Sequence, residues 1–315
     1  VLSDDERMKA AEELTGPLAK LIKMDGRLET KIKITEPGLH DVNHETYLAD
    51  PVPGGSLSHS GARMLLDPHC PAYFKWWHDH PLERPKRAFE LGSAAHQKLL
   101  GIGPEIVEIE ALDYTVGYGG KGGQTAARQD RDDARARGAI PLLSQEMRQV
   151  EDMIDALHRA PKISKIFDPD HGKPEQSFFW LDPSTKIMRR CRVDWLPEAV
   201  GGRVILVDYK TTKSAHPDMF AKDVINYDYE MAAQSYCEGV SIVLDVETTF
   251  LFIAQEKTPP YLVSAIELSP DHYKRGQRRN RTAVDLYAEC RKRDYWPSYT
   301  DEEPYMIELP PWAQV

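Results

Sequence analysis

Cysteine is scarce in this sequence: Cys70, Cys191, Cys237 and Cys290 are the only four in 315 residues, with no C-x-x-C pair among them. That spacing excludes a disulfide framework and gives neither a structural zinc site nor an iron–sulfur cluster its usual ligands. Uninterrupted apolar sequence is short everywhere, so no stretch has the length needed to cross a bilayer. The sequence opens on VLSDDERMKAAEELTG, acidic where an export signal is basic and then greasy, and a cytoplasmic chain with no membrane partner is the expectation. Net positive charge is also missing. A formal charge of −10 argues against coating nucleic acid non-specifically, which takes many Lys/Arg–phosphate contacts, but leaves room for one local basic channel. No G-x-x-x-x-G-K-[ST] loop is present, which argues against a fused helicase.

What is present is enough apolar residue, 41%, to fill a large core. Met8, Ala11, Leu14, Leu18 and Leu21 recur at helical steps between Ser3 and Ile22, and RLETKIKIT alternates as a strand does. A Pro- and Gly-rich connector over residues 36–55 leads to SLSHSGARMLLD, where Ser58 or Ser60 can cap a short helix. Pro68, Pro71 and Pro81 bracket AYFKWWHDH, and a helix is expected from about Ala88 to Leu100. Gly117 to Gly123 is glycine-rich, AARQDRDDARARG has the charge density of an exposed helix or arm, and a strong helical pattern begins at Ser144. From Glu175 the period changes to two, giving strands in EQSFFWLD, KIMRRCRVDWL and RVILVDYKTT, the last two joined by PEAVGG. A helix over Tyr227–Val240, strands over Glu247–Gln255 and Tyr261–Leu268, and a helix from Pro270 to Tyr295 complete the pattern. The expected architecture is one α/β domain with a helical N-terminal part, divided as 1–55 (helix, strand and connector), 56–300 (the α/β domain) and 301–315 (a Pro-rich surface tail).

The chemistry sits in CRVDWL and VDYKTT. Asp194 and Asp208 fall on neighbouring strands, so two hard carboxylates can point at one spot, a donor set suited to Mg²⁺ or Mn²⁺. Lys210, two residues on, shares a face with Asp208, whereas Tyr209 points away and offers only its backbone carbonyl. These are the parts for phosphodiester hydrolysis: cations to polarise the phosphate and activate a water, and a lysine to orient it or balance charge on phosphate oxygens. A D-x-K on a strand also occurs as a solvated charge pair. Against that stands the cost of an ionised aspartate among Val204, Ile205 and Val207 with nothing to pair it. His96 lies beside the stripe of Leu91, Ala95 and Leu99, where a histidine is commonly a satisfied core residue; Gly92, one turn earlier, would let the helix approach a sheet closely enough for the imidazole to reach a metal. Glu175 reads either as a strand-end carboxylate or as part of the same site. Among the basic residues Arg84, Lys86, Arg87, Arg128, Arg131, Arg135, Arg137, Arg189, Arg190 and Arg192, the last is favoured as a phosphate contact because it shares a face with Arg190 and Asp194.

Taken in order, the opening segment ITEPGLHDVNHETYLADPVPGGSLSHSGARMLLDPHCPAYF, the helix LGSAAHQKLL, then CRVDWL, VDYKTT and a helix ending in YCEG resemble the RecE-type exonuclease VIII family, in the RecB-like branch of the PD-(D/E)xK nucleases. The resemblance runs from about Ile34 to Tyr299. It implies a restriction-endonuclease-like core with a central mixed sheet flanked by helices. It implies His96, Asp194, Asp208 and the Tyr209 carbonyl as metal ligands, Lys210 as the catalytic lysine and Glu175 as a further acidic member. It also implies Gln234 and Tyr236 toward DNA, beside the Arg190 and Arg192 that strand alternation puts on the face of Asp194. The family's core helix usually carries Gln four residues before the Tyr; here Ala232 holds that place, and Gln234, two residues before Tyr236, should face elsewhere. Membership further implies Mg²⁺-dependent, processive 5′→3′ digestion of linear duplex DNA and a ring-shaped homo-oligomer, trimer or tetramer. It also implies a single-strand annealing partner, in a bacterial cytoplasm with phage or prophage origin. Three competing readings are a structure-specific or endonucleolytic RecB-like enzyme, a non-catalytic DNA-binding module on the same fold, and a hydrolase of small phosphoesters.

Overall fold

A computed structural model of the chain describes residues 32–80, 90–111, 113, 114, 117–119 and 122–309, together with the backbone of 23, 24, 27, 28 and 87–89. The helix expected over Ser3–Ile22, Arg84, Lys86 and the last six residues lie outside the described residues.

In chain order, β1 (Lys23–Met24) and β2 (Arg27–Leu28) form a small hairpin and are followed by β3 (Gly38–His40), α1 (His44–Leu48), β4 (Leu57–Ser58), α2 (His59–Met64) and α3 (Pro71–Asp79). Next come α4 (Arg87–Leu100), β5 (Ile106–Ile109), α5 (Gly123–Ala136), β6 (Ile140–Leu143), α6 (Ser144–His158) and α7 (Pro161–Ser164). The long strands β7 (Gly172–Leu181), β8 (Met188–Pro197) and β9 (Arg203–Thr212) precede α8 (Pro217–Asn226) and α9 (Tyr229–Leu244). Strands β10 (Glu247–Glu256) and β11 (Val263–Glu267) and helix α10 (Pro270–Arg293) complete the fold.

The central sheet is mixed, in the order β11-β10-β9-β8-β7-β3, with β4 added beside β8. β9 and β10 run parallel in unbroken register from Arg203↔Glu247 to Thr212↔Glu256, whereas β7 and β8 are antiparallel. Helices cover both faces of the sheet. On one side α8 and α9 bury Phe220, Val224, Ala233 and Val240 against Phe178, Trp180, Leu206, Phe250 and Phe252. On the other, α4 and α6 bury Ala94, Ala95, Val150, Met153 and Leu157 against Trp195, Val207, Tyr209 and Ile253.

Local chemistry sets the element ends. The Asn43 side chain accepts from the Thr46 N–H at 2.8 Å to start α1, and Ser58 accepts from the Gly61 N–H at 3.2 Å to start α2. Prolines open α3, α8 and α10, where their missing N–H costs nothing. Gly239 in α9 is a packing glycine: a Cβ there would lie 2.5 Å from the ring of the fully buried Trp180.

The structure corrects the sequence expectations at several points. Residues 32–35 are not strand, and the segment read as a connector contains β3 and α1. Ile34, Val42, Tyr47 and Val52 bury against Phe179 and Met188, and β3 pairs with β7. The helix expected over Tyr227–Val240 is α9, Tyr229–Leu244, and Asp228 just before it takes a left-handed conformation (φ 54°) that separates it from α8. β5 and β6, a parallel pair, and α8 were not expected. Residues 301–309 of the tail are exposed, and among the described residues no helix is long and apolar enough to cross a membrane.

Candidate active site

The central sheet forks where the two aspartates lie. β8 and β9 pair at one register only, Trp195↔Val207, and β4 then takes up the edge of β8 at Arg189 and Arg190. Beyond the fork the Tyr209 N–H donates to Asp194 Oδ2 at 3.1 Å. Asp208 and Lys210 follow on the diverging part of β9 and form an ion pair, with Asp208 buried. The Tyr209 side chain turns into the opposite layer and donates to Gln255 Oε1 at 2.6 Å, as strand alternation requires.

Helix α4 delivers His96. Gly92 rests on β9 so closely that a Cβ would lie 2.9 Å from Thr211 Oγ1, and one turn later His96 Nε2 lies 3.2 Å from Asp194 Oδ2 and 3.5 Å from Glu175 Oε1. The pairs Pro174↔Trp195 and Gln176↔Val193 set Glu175 opposite Asp194, but Glu175 itself has φ 55° and leaves the ladder at that point. Its carboxylate reaches His96 on one side and the Arg192 guanidinium on the other.

The charges are strongly coupled. Burial opposes ionisation of Asp194, but His96 and Lys210 outweigh it and hold the carboxyl down at about 2. Asp208 goes the other way: burial, then the charge of Asp194, lift it to about 6 despite Lys210. Burial alone would push His96 down, yet Asp194 and Glu175 raise it; the same balance, with Asp208 and Asp194 as partners, raises Lys210. A site that holds two close carboxylates only by protonating one of them or by drawing positive charge is a site short of a cation. The donor atoms fit one: a nitrogen of His96 and oxygens of Glu175 and Asp194 all lie within 4.8 Å of one another. One imidazole among hard oxygen ligands matches Mn²⁺ or Mg²⁺ rather than a thiolate-loving metal.

The cleft above these residues has a volume of about 1270 Å³ and is lined by His44, His96, Glu175, Asp194, Lys210 and Tyr229 among others. The residues expected to touch DNA are placed less uniformly. Arg192 lines the cleft, but its guanidinium binds Glu175, the Val42 carbonyl at 2.7 Å and Ser177 Oγ at 2.8 Å. Arg190 binds Asp50 at 2.7 Å and the Ser56 carbonyl at 2.9 Å, so both arginines bind the 42–56 segment onto β8 and are not free phosphate contacts. Arg189 and Arg135 are likewise committed, to Glu238 and Glu90, whereas Arg137 is exposed in the cleft. Gln234 faces α10, bonded to Asn280 and, at 3.2 Å, to Glu238. Tyr236 packs edge-on against Phe250 and His59; burial raises its hydroxyl well above the ordinary range, and the nearby charges of Asp208 and Asp194 add to that.

Two residues near the lysine carried no sequence signal. Tyr229 places its ring 5.6 Å from Lys210 Nζ. His59, the first residue of α2, is held down at about 4 by burial and by the charge of Lys210. Both depend on β4 and α9 closing on the fork, a tertiary event that no local spacing records.

Comparison with known proteins agrees with this geometry. The family model described as the PDDEXK-like domain of unknown function (DUF3799) matches residues 58–308. No curated protein matches. The crystal structure of a protein from Eubacterium rectale, provisionally assigned as an exonuclease, superposes with a TM-score of 0.57 at 13% identity, covering 86% of this chain and 96% of its own. The crystal structure of SSO0001 aligns at 16% identity over 63% of this chain and 85% of its own, with a TM-score of 0.26 that carries no weight. The forked mixed sheet with its D-x-K strand is thus the PD-(D/E)xK nuclease fold, and the chain belongs to the PDDEXK-like family DUF3799.

Proposed function

We propose that this protein is a divalent-metal-dependent exodeoxyribonuclease of the RecE type, digesting linear duplex DNA from its ends, 5′→3′, to leave single strands for recombination. The observation that carries the reading is the convergence of His96, Glu175 and Asp194 beside the buried Asp208–Lys210 pair at the fork of the sheet. His96, Glu175, Asp194, Asp208 and the Tyr209 carbonyl would hold Mg²⁺, or Mn²⁺ in its place; when bound, the ion supplies Lewis acidity to the scissile phosphate and acidifies a water. The residues themselves do the rest. Asp194, kept ionised, receives the Tyr209 N–H and so fixes the peptide between the D and K of the motif. Lys210, kept charged, sits where it can orient a water or balance negative charge building on phosphate oxygens. The proposed setting is a ring-shaped trimer or tetramer working with a single-strand annealing protein, in a bacterial cytoplasm and of phage or prophage origin.

The test is digestion of 5′- and 3′-labelled linear duplexes beside closed circles, with Mg²⁺ and with Mn²⁺. Loss of linear DNA from the 5′ ends with circles intact is the expected result. Equal cutting of circles would discard the exonuclease reading and keep a nuclease; no cutting with either ion would favour a non-catalytic binding module.

A further inference from the structure

Tyr227 and Tyr229 stand on the wall of the cleft that holds Lys210. Tyr229 is the inner member, packed on Phe220 and Phe252 at centroid distances of 6.0 and 5.7 Å, with Lys210 Nζ 5.6 Å from its ring. Tyr227 stacks on Tyr229, centroids 5.6 Å apart and planes 30° from parallel, and 49% of it is open to solvent. An aromatic column therefore starts in the core, passes the lysine and ends on a bare ring face in the cleft.

The turn between the two rings is held at some cost. Asp228 is buried with φ 54° and ψ 39°, and its carboxylate takes Arg63 at 3.3 Å, Arg279 at 3.2 Å and Arg275 at 3.7 Å. A left-handed aspartate under three guanidiniums fixes the spacing of its neighbours far more tightly than a loop needs. Such preorganisation favours binding, because a ring already in place loses little freedom when something stacks on it. Exposed Arg137 and Lys213 line the same cleft and offer charge to a backbone. Aromatic faces set near cationic side chains are a recurrent solution for gripping unpaired nucleotides.

From this geometry we infer that Tyr227 is a stacking platform for single-stranded DNA: one base of the strand being cut lies on its outer face. The inference rests on the nuclease reading and names the state of the substrate at the site. Bases within a duplex have both faces covered by their neighbours, so a strand that uses this platform is unpaired where it enters the cleft. The steps of 5.6 Å from Lys210 Nζ to the Tyr229 ring and of 5.6 Å from that ring to Tyr227 span roughly three stacked nucleotides at most, at about 3.4 Å of rise each.

The test measures binding of a fluorescent single-stranded oligonucleotide by anisotropy in EDTA, so that nothing is cut. Tyr227→Ala is expected to weaken binding about 5- to 150-fold, and Tyr227→Phe, which keeps the face, to stay near the parent. In a series with one abasic position walked along the oligonucleotide, the parent should lose affinity at one or two positions where Tyr227→Ala loses none. Equal affinity of parent and alanine variant, or equal abasic sensitivity, overturns the platform. Digestion of plain duplex by the parent separates the two ideas: a parent that cuts DNA while Tyr227→Ala binds normally leaves the nuclease and removes only the platform, and a parent that neither binds nor cuts DNA removes both.

Discussion

Glu175 stands opposite Asp194 across the β7–β8 ladder and, with φ 55°, turns out of the strand to present its carboxylate to both His96 and Arg192. A glutamate in that conformation costs on the order of 1 kcal/mol or more, a cost borne where it positions a functional group. Glu175→Gln keeps an oxygen for Arg192 but removes the charge a cation would use. We expect Mn²⁺ affinity by calorimetry to fall about tenfold or more, with the thermal midpoint little changed; a fall in midpoint with unaltered affinity would make Glu175 a buttress only.

Metal binding should depend on pH through Asp208. Burial and Asp194 hold its carboxyl at about 6, so below that pH a cation must displace a proton, and above it the ligand is ready. Raised His96 acts in the same direction. Affinity is expected to be about tenfold or more weaker at pH 5 than at pH 7.5, and Asp208→Asn should flatten that dependence. A parent whose affinity is level across this range would contradict the assignment of Asp208 as a ligand.

Chemistry should be more sensitive than binding to loss of the D-x-K pair. Asp208→Ala and Lys210→Ala are each expected to slow single-turnover cleavage about 10²-fold or more, with DNA affinity nearly retained. A loss confined to affinity would place both residues in substrate binding alone.

Gly92 tests the seat of the histidine. A methyl there meets Thr211 Oγ1, while the helix gains about 1 kcal/mol from replacing glycine by alanine. Gly92→Ala should therefore keep its midpoint within a few degrees yet bind Mn²⁺ more weakly, because α4 and His96 ride up from the sheet; Gly92→Val should lose both. Unaltered affinity in both variants would show that α4 can shift without consequence.

Gly239 makes a prediction independent of any function. Trp180 fills the space a side chain would take, so Gly239→Ala is expected to cost about 1–3 kcal/mol in urea unfolding. A stabilised variant would mean that the Trp180 ring moves freely.

The parts of this site that were legible in the sequence are those whose geometry is local. Strand alternation sets Lys210 beside Asp208 and sends Tyr209 the other way, and one helical turn links Gly92 to His96. What was not legible depends on distant partners. Arg190 and Arg192 share a strand with Asp194, as read, but alternation says nothing of Asp50, Val42 or Ser56, which occupy them. The left-handed turn at Asp228, between α8 and α9, is held by arginines from α2 and α10 that no local spacing records. Glu175 looked like a strand end because its departure from the ladder is a backbone event between two well-paired neighbours.

The proposed ligands are scattered along the chain: the imidazole comes from α4, and the carboxylates from β7, β8 and β9. No contiguous peptide can assemble them, in contrast to zinc modules whose ligands lie close in sequence and whose metal nucleates the structure. Tertiary docking of α4 onto the forked sheet has to come first. Cation titration is accordingly a gauge of completed folding for any variant of this chain, and a destabilising substitution far from the cleft will register there as lost stoichiometry before it registers as altered affinity.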